Sequence, residues 1–313
     1  LNWQDQAKIS KFIVKAISDE RNNRQEGKYK TMSQVQMVDT LREWRDSAQY
    51  WERHAQTIRK MFSPVTRVLI EEAGISEGDK VLDVAGGAGE PSLTIAEVVG
   101  SNGLVTCTDA VAEMVFAAKS EAHRRGLENM FFEQCLADSL PFKDNSFDAA
   151  VCRLGVMFFP DPLAGLREML RVIKSGGSLS LAVWHESNLN PFAYIVTNVI
   201  SSHVATPPAD PEALGAFRFA APGKLAQILK AAGAKRVGER LLKFNIEAPI
   251  SRDQFWEMRS GTSGTLREKL DAMSDDLRLK IANEVKEAVA EFFPNEHMSF
   301  PAQMLIVTGD KSN

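Results

Sequence analysis

The stretch Val81-Leu82-Asp83-Val84-Ala85-Gly86-Gly87-Ala88-Gly89-Glu90-Pro91 decides the reading of this chain. A short apolar run that ends in very small residues and then proline predicts a buried strand, a tight loop and a helix from Pro91. Only small side chains let another molecule approach a backbone this closely. An ordinary strand–helix turn has the same composition. The loop is not the dinucleotide fingerprint: G-x-G-x-x-G begun at Gly87 needs glycine at position 92, which is Ser92. Pyrophosphate at the helix N-terminus is therefore poorly supported. The next predicted strand ends at Asp109, 20 residues after Gly89. A carboxylate there is placed to accept from both hydroxyls of a ribose, and the same residue type also caps helices.

Outward from the loop, strands and helices alternate. Predicted strands are Lys80–Ala85, Leu104–Asp109, Met130–Leu136, Phe147–Cys152 and Ser178–Trp184. A helix follows the second strand until Gly126, and another starts at Asp161-Pro162 and closes at Gly176-Gly177. Short apolar strands joined by helical crossovers imply a parallel sheet covered on both faces. Beyond it, residues 187–216 read as an irregular covering segment, followed by a helix over Pro222–Ala232 and a strand over Arg236–Ile246. Ser251-Arg-Asp-Gln254 is a capping box that opens amphipathic helices over 252–293, and Met304–Thr308 is the last strand. At the other end, helices are expected over 3–19 and about Val35–Met61, with a polar linker over 21–28, and Ser63-Pro64 starts a further helix that Gly74 ends.

The 313 residues suit two domains or one large domain with additions. Hydrophobic residues at 44% and charged residues at 25% exclude a disordered or fibrous chain. A net charge of −4 lacks the basic footprint of a nucleic-acid binder. Cys107, Cys135 and Cys152 show no C-x-x-C spacing, which fits a reducing cytoplasm rather than a disulfide framework. No run of 18 apolar residues and no basic-then-apolar leader are seen, so neither a membrane span nor secretion is expected. The chain begins at Leu1 rather than methionine, which allows a trimmed start.

With these elements in order, the chain resembles class I S-adenosylmethionine-dependent methyltransferases of the ubiquinone/menaquinone C-methyltransferase-like (methyltransferase type 11) family. Four features carry the resemblance: the glycine loop, Asp109, the run Leu140-Pro141-Phe142 with Asn145-Ser146-Phe147-Asp148, and the turn Lys174-Ser175-Gly176-Gly177. It covers roughly 78–186, and more loosely the elements through 248 and the final strand. The resemblance implies an α/β fold: a Rossmann-like, seven-stranded, mostly parallel sheet with helices on both faces. It implies an N-terminal helical extension or lid over 1–73, a cofactor-binding core over 74–248 and 299–313, and a helical insertion over 249–298 on the substrate side.

S-adenosyl-L-methionine would be the cofactor and S-adenosyl-L-homocysteine the product. Its site would draw on Asp83, Ala85, Gly86, Gly87, Gly89, Asp109, Ala110, Met114, Ala137, Asp138, Leu154 and Tyr50. Two departures from the family pattern stand out. Ala85 replaces the loop's usual first glycine, and Leu136 replaces an acid that accepts from the adenine amino group, so either Asp138 or the Ala137 backbone takes that part. Asp83 orients the loop or the methionine amino group, or else makes an internal bond that fixes the loop. Trp44, Tyr50 and Trp51 lie where the family folds a helix over the cofactor, and aromatic faces suit a sulfonium. The alternative is that they are core staples for the N-terminal helices.

Methyl transfer needs alignment and a dry site rather than a nucleophilic side chain. A base helps where the acceptor loses a proton. His185 after the fifth strand is the best-placed candidate, with Glu186 beside it and His54 and His203 as weaker ones. Arg153 faces the acceptor or makes a structural ion pair. No metal is expected, because Cys152 and Arg153 stand where metal-dependent relatives carry acids. The expected activity is methyl transfer to a small, partly apolar molecule, in the cytoplasm and without nucleic acid, with a homodimer allowed. A nicotinamide oxidoreductase and a non-catalytic cofactor-binding or interaction protein are the alternatives.

Overall fold

Alternating apolar strands and capped helices condense around one mixed sheet. The computed structural model describes residues 32–204, 210 and 212–312; the helix expected over 3–19 and the linker over 21–28 lie outside them. The chain falls into two units, Leu1–Asp39 and Thr40–Asn313, and the sheet belongs to the second. In chain order the elements are α1 (Met32–Arg53), α2 (Ala55–Glu72), β1 (Lys80–Val84), α3 (Ser92–Val99), β2 (Leu104–Asp109), α4 (Ala112–Arg124), β3 (Met130–Gln134) and β4 (Phe147–Arg153). There follow α5 (Pro162–Val172), β5 (Ile173–Trp184), α6 (Pro191–His203), α7 (Lys224–Ala232), β6 (Lys235–Ala248), α8 (Arg252–Thr262), α9 (Gly264–Asp271), α10 (Asp275–Ala288) and β7 (Met298–Asp310).

The strand order is β3-β2-β1-β4-β5-β7-β6. β1 to β5 pair in parallel, and β7 runs antiparallel between β5 and β6. The winding direction reverses between β1 and β4, which opens a crevice at their carboxyl ends, the usual ligand position in such sheets. Val81, Leu82 and Val84 of β1 are buried, as expected of a strand covered on both faces. α2 turns Ile58, Met61, Phe62, Val65 and Leu69 into the core at helical spacing and packs against β4, β5 and β6.

Two caps are where the sequence puts them. Asp161 accepts from the Ala164 N–H at 2.9 Å ahead of Pro162. Ser251 and Gln254 form the reciprocal capping box, at 3.3 and 2.9 Å. Three expectations need correction. Ser63-Pro64 does not start a helix; α2 runs through Pro64, and the break lies at His54. Proline removes the N–H that would bond the Lys60 carbonyl, and the Ser63 hydroxyl donates to that carbonyl instead, at 3.0 Å. The helix after Pro162 ends at Val172, so Gly176-Gly177 lies inside β5. Glycine is required there because a Gly177 Cβ would overlap the Asp148 carbonyl and the Ile173 side chain. The segment 187–216 is not irregular throughout, since Pro191 opens α6, whose buried Phe192, Val196 and Ile200 face the core.

Candidate active site

The glycine loop joins β1 to α3 at the crevice, and each small residue has a separate reason. Gly86 donates to the Thr108 carbonyl at 2.8 Å. A Cβ on it would lie 2.7 Å from Cys107 Sγ and 2.8 Å from Asp83 Oδ2. Gly89 has φ 111°, and a Cβ there would lie 2.6 Å from Leu93 Cδ1. Gly87 has φ 56° and open space where its side chain would be. Ala85 holds φ 58° and Leu154, just after β4, holds φ 61°. These are left-handed conformations at the ends of adjacent strands, a strain found mostly at functional sites. A Gly155 Cβ would stand 2.5 Å from the Ala85 methyl, so the two strand ends nearly touch.

Two carboxylates flank the loop. Asp109 accepts from the Gly87 N–H at 3.0 Å through Oδ2 and from the Val111 N–H at 2.9 Å through Oδ1. It thus fixes the loop and holds Val111, the residue just ahead of α4, each oxygen keeping a lone pair. Burial pushes this carboxyl up to about 6, against the pull of those N–H donors. Asp83 is fully buried, and its Oδ2 accepts from Ser92 N–H at 3.1 Å and Ser92 Oγ at 2.6 Å. Its Oδ1 has no partner. Burial pushes Asp83 up to about 7, with the Ser92 hydroxyl and Arg153 opposing. A buried acceptor without a donor is costly, and a ligand amine or water at that oxygen would relieve it. Ser92, the residue that breaks the dinucleotide fingerprint, is the one that holds Asp83.

The other expected residues are distributed around this centre. Met114 is buried beside Ala48 and Val111, with Trp44, Trp51 and Ala88 against them. The Ala110 carbonyl accepts from Gln134 Nε2 at 3.1 Å. Ala137 lies near Gly165 at the start of α5, while Asp138 is exposed in a turn. Trp44 meets Phe158 edge-on, with centroids 5.1 Å apart, and Trp51 at 5.7 Å. Tyr50 is placed differently from its expectation: its ring lies against Gly261, with the Arg267 guanidinium 4.9 Å from its centroid. It therefore staples α1 to the insertion, while Trp44 and Trp51 share a cluster with Ala88 of the loop.

Arg153 is enclosed. It donates to Thr66 Oγ1 at 3.0 Å and to the Glu90 carbonyl at 2.9 Å, with Phe62 against its guanidinium. Burial lowers its pKa, and the charges of Glu90 and Asp83 oppose that. From the end of β4 it therefore ties the loop to Thr66 of α2 rather than facing outward. His185 is half-buried, with Nδ1 3.1 Å from the Ala220 carbonyl and 2.7 Å from the Glu186 N–H. A proton on Nδ1 serves the carbonyl and leaves Nε2 bare; the other tautomer accepts from Glu186. His203 instead pairs with Glu284 at 2.5 Å.

Sequence reasoning passed over Glu90. Its carboxylate is nearly buried, paired with Arg59 at 3.2 Å and Arg125 at 3.1 Å, and accepts from Thr94 Oγ1 at 2.7 Å. It ties α2 and α4 to the loop. Its signal was an acid directly after five small residues, a position that otherwise favours an exposed turn.

Residues 26–197, more than half of the chain, match the ubiE/COQ5 methyltransferase family. The chain belongs to this family. It is 42% identical over 114 residues to the ubiquinone/menaquinone biosynthesis C-methyltransferase UbiE of Cellvibrio japonicus, covering 36% of this chain and 46% of that protein. It is 34% identical over 131 residues to the uncharacterized protein Rv1405c of Mycobacterium tuberculosis, covering 42% and 46%. The matches thus span about half the length of these relatives. Among solved structures, the YcgJ protein of Bacillus subtilis aligns with TM-score 0.50 at 24% identity, over 79% of this chain and 98% of that one. Phosphoethanolamine N-methyltransferase 2 of Haemonchus contortus, in complex with S-adenosyl-L-methionine, aligns with TM-score 0.54 at 15% identity, over 87% and 60%. The structural likeness shows a shared fold, the Rossmann-like sheet of this ubiE/COQ5 member. Among the described residues, no helix is long and apolar enough to cross a membrane.

Proposed function

We propose that this ubiE/COQ5 family member transfers a methyl group from S-adenosyl-L-methionine to a small, partly apolar acceptor in the cytoplasm. The observation that carries the reading is one constellation. A glycine loop with open space before Gly87 lies between Asp109 and the unpartnered, buried Oδ1 of Asp83. The residues fit the cofactor's chemistry: Asp109 retains acceptor capacity for ribose hydroxyls, and Asp83 has an oxygen for an ammonium, directly or through water. When bound, the cofactor supplies an electrophilic methyl on a sulfonium.

The chain's own residues do the rest. Gly87 and Gly89 keep the loop close and free of side chains. Arg153 and Glu90 hold it from behind. Trp44 and Phe158 cover it with apolar surface, which excludes water and favours a cation. If the acceptor loses a proton, His185 with Nδ1–H on the Ala220 carbonyl presents Nε2 to take it. The names of the curated relatives point to carbon as the first acceptor atom to test.

The test is calorimetry with S-adenosyl-L-homocysteine. Wild type should bind it, and Asp109→Ala should weaken binding roughly 10- to 100-fold, the worth of about 1.5–3 kcal/mol for bonds to a charged group. Unchanged affinity in the variant would remove Asp109 from the site. Failure of wild type to bind would remove the reading.

A further inference from the structure

Among the described residues, the insertion contains a cation without an anion. Arg259 of α8 has its guanidinium 4.8 Å from the centroid of the Phe192 ring. Its Nε is sealed from solvent and bonds nothing. No carboxylate pairs with it among the described residues, whereas Arg252, Arg267 and Arg278 of the same insertion all find oxygen partners. Burial alone depresses its pKa, to about 10. An aromatic face offsets part of the cost of dehydrating a guanidinium, but its fork of donors normally meets a planar oxyanion.

Its position is next to the proposed site. Phe192 lies in the first turn of α6, seven residues after His185, and Asn190 clamps the intervening junction by donating to the His185 carbonyl at 3.1 Å and the Glu186 carbonyl at 3.0 Å. Three residues beyond Arg259, on the same side of α8, the Thr262 carbonyl accepts from Trp51 Nε1 at 3.1 Å. Trp51 touches Trp44, which stands on Phe158. Arg259 thus lies against α6, which follows the His185 junction, and one helical turn from the carbonyl that Trp51 bonds.

We propose that Arg259 binds a carboxylate on the acceptor, so that the substrate is a small carboxylic acid with an apolar or aromatic body. A monoanion balances a single guanidinium, which a phosphate dianion would not. This specifies the acceptor of the methyl transfer proposed above and rests on that reading for its place in the reaction.

The probes are benzoate, its uncharged analogue benzamide and inorganic phosphate, titrated by calorimetry or NMR with and without S-adenosyl-L-homocysteine. Wild type should bind benzoate at least 10-fold more tightly than benzamide and more tightly than phosphate. Arg259→Met should lose that preference with S-adenosyl-L-homocysteine affinity unchanged, and Arg259→Lys should keep part of it. Equal binding of benzoate and benzamide, no benzoate binding, or an unaltered preference in Arg259→Met would overturn the proposal, and stronger phosphate binding would overturn the carboxylate assignment. The wild-type comparison stands even if Arg259→Met fails to fold. Cofactor-product binding without benzoate discrimination defeats this inference alone; benzoate discrimination without cofactor-product binding defeats the methyltransferase reading and leaves an anion site.

Discussion

At the scale of single residues, Ala85 and the two carboxylates set the site's energetics. A non-glycine residue in the left-handed region is strained by about 1–2 kcal/mol, while glycine forfeits about 0.5–1 kcal/mol of chain entropy. Ala85→Gly should therefore stabilise the fold by about 0.5–1 kcal/mol in urea unfolding; a loss of stability would mean the methyl packs usefully against Gly155. Asp83 and Asp109 are raised to about 7 and about 6 by burial, so both are partly protonated just below neutrality. Donors from a ligand favour their ionised forms. Affinity for S-adenosyl-L-homocysteine should accordingly rise between pH 5.5 and about 7.5, with protons released on binding, as calorimetry in buffers of differing ionisation enthalpy would register. A flat profile would mean that neither carboxylate meets the ligand. Asp109 was legible from its spacing after the loop. The Ser92–Asp83 pair was not, because a serine nine residues downstream has no sequence mark of a partner.

At the scale of elements, residues 40–53 of α1 form the part of the second unit that packs beside the loop. Trp44 packs on Phe158, Trp51 bonds the Thr262 carbonyl, and Glu43 accepts from Thr265 N–H and Oγ1 at 2.8 Å. These are side-chain contacts across solvent-facing seams rather than a shared sheet, and such elements open at low free energy. Amides of residues 40–53 should exchange more slowly with S-adenosyl-L-homocysteine bound, while those of β1 and β4 change little. Equal exchange in both states would make α1 a fixed wall instead of a lid. The helical face of α2 was readable from its apolar spacing, but its N-terminus was misplaced. Ser63-Pro64 carries the residue types of a helix start, and only the Ser63 bond to the Lys60 carbonyl shows how the helix passes through proline.

At the scale of the whole molecule, an acidic pair at the sheet's switch point couples ligand binding to stability. For Asp83 and Asp109 the folded-state values lie above the ordinary carboxylate range, so the native state binds more protons than the unfolded chain between about pH 4 and 7. Their contribution is therefore favourable at acid pH and is lost as pH rises through that window. Without ligand, Tm should fall from pH 5 to pH 8 by more in wild type than in Asp83→Asn, provided the variant keeps the Ser92 contacts. An identical slope in both would show that Asp83 is not the buried acid described. The alternation of strands and helices, the glycine loop and the acid after β2 were determined by the sequence alone, because chain periodicity, backbone freedom and fixed spacing are local properties. The order β3-β2-β1-β4-β5-β7-β6 with its antiparallel β7, the packing of Tyr50 on Gly261, the inward anchoring of Arg153 and an Arg259 with no carboxylate among the described residues were decided by tertiary structure. Each depends on which side chains distant in sequence share a buried space, and there burial and hydrogen-bond partners, not residue type, assign the role.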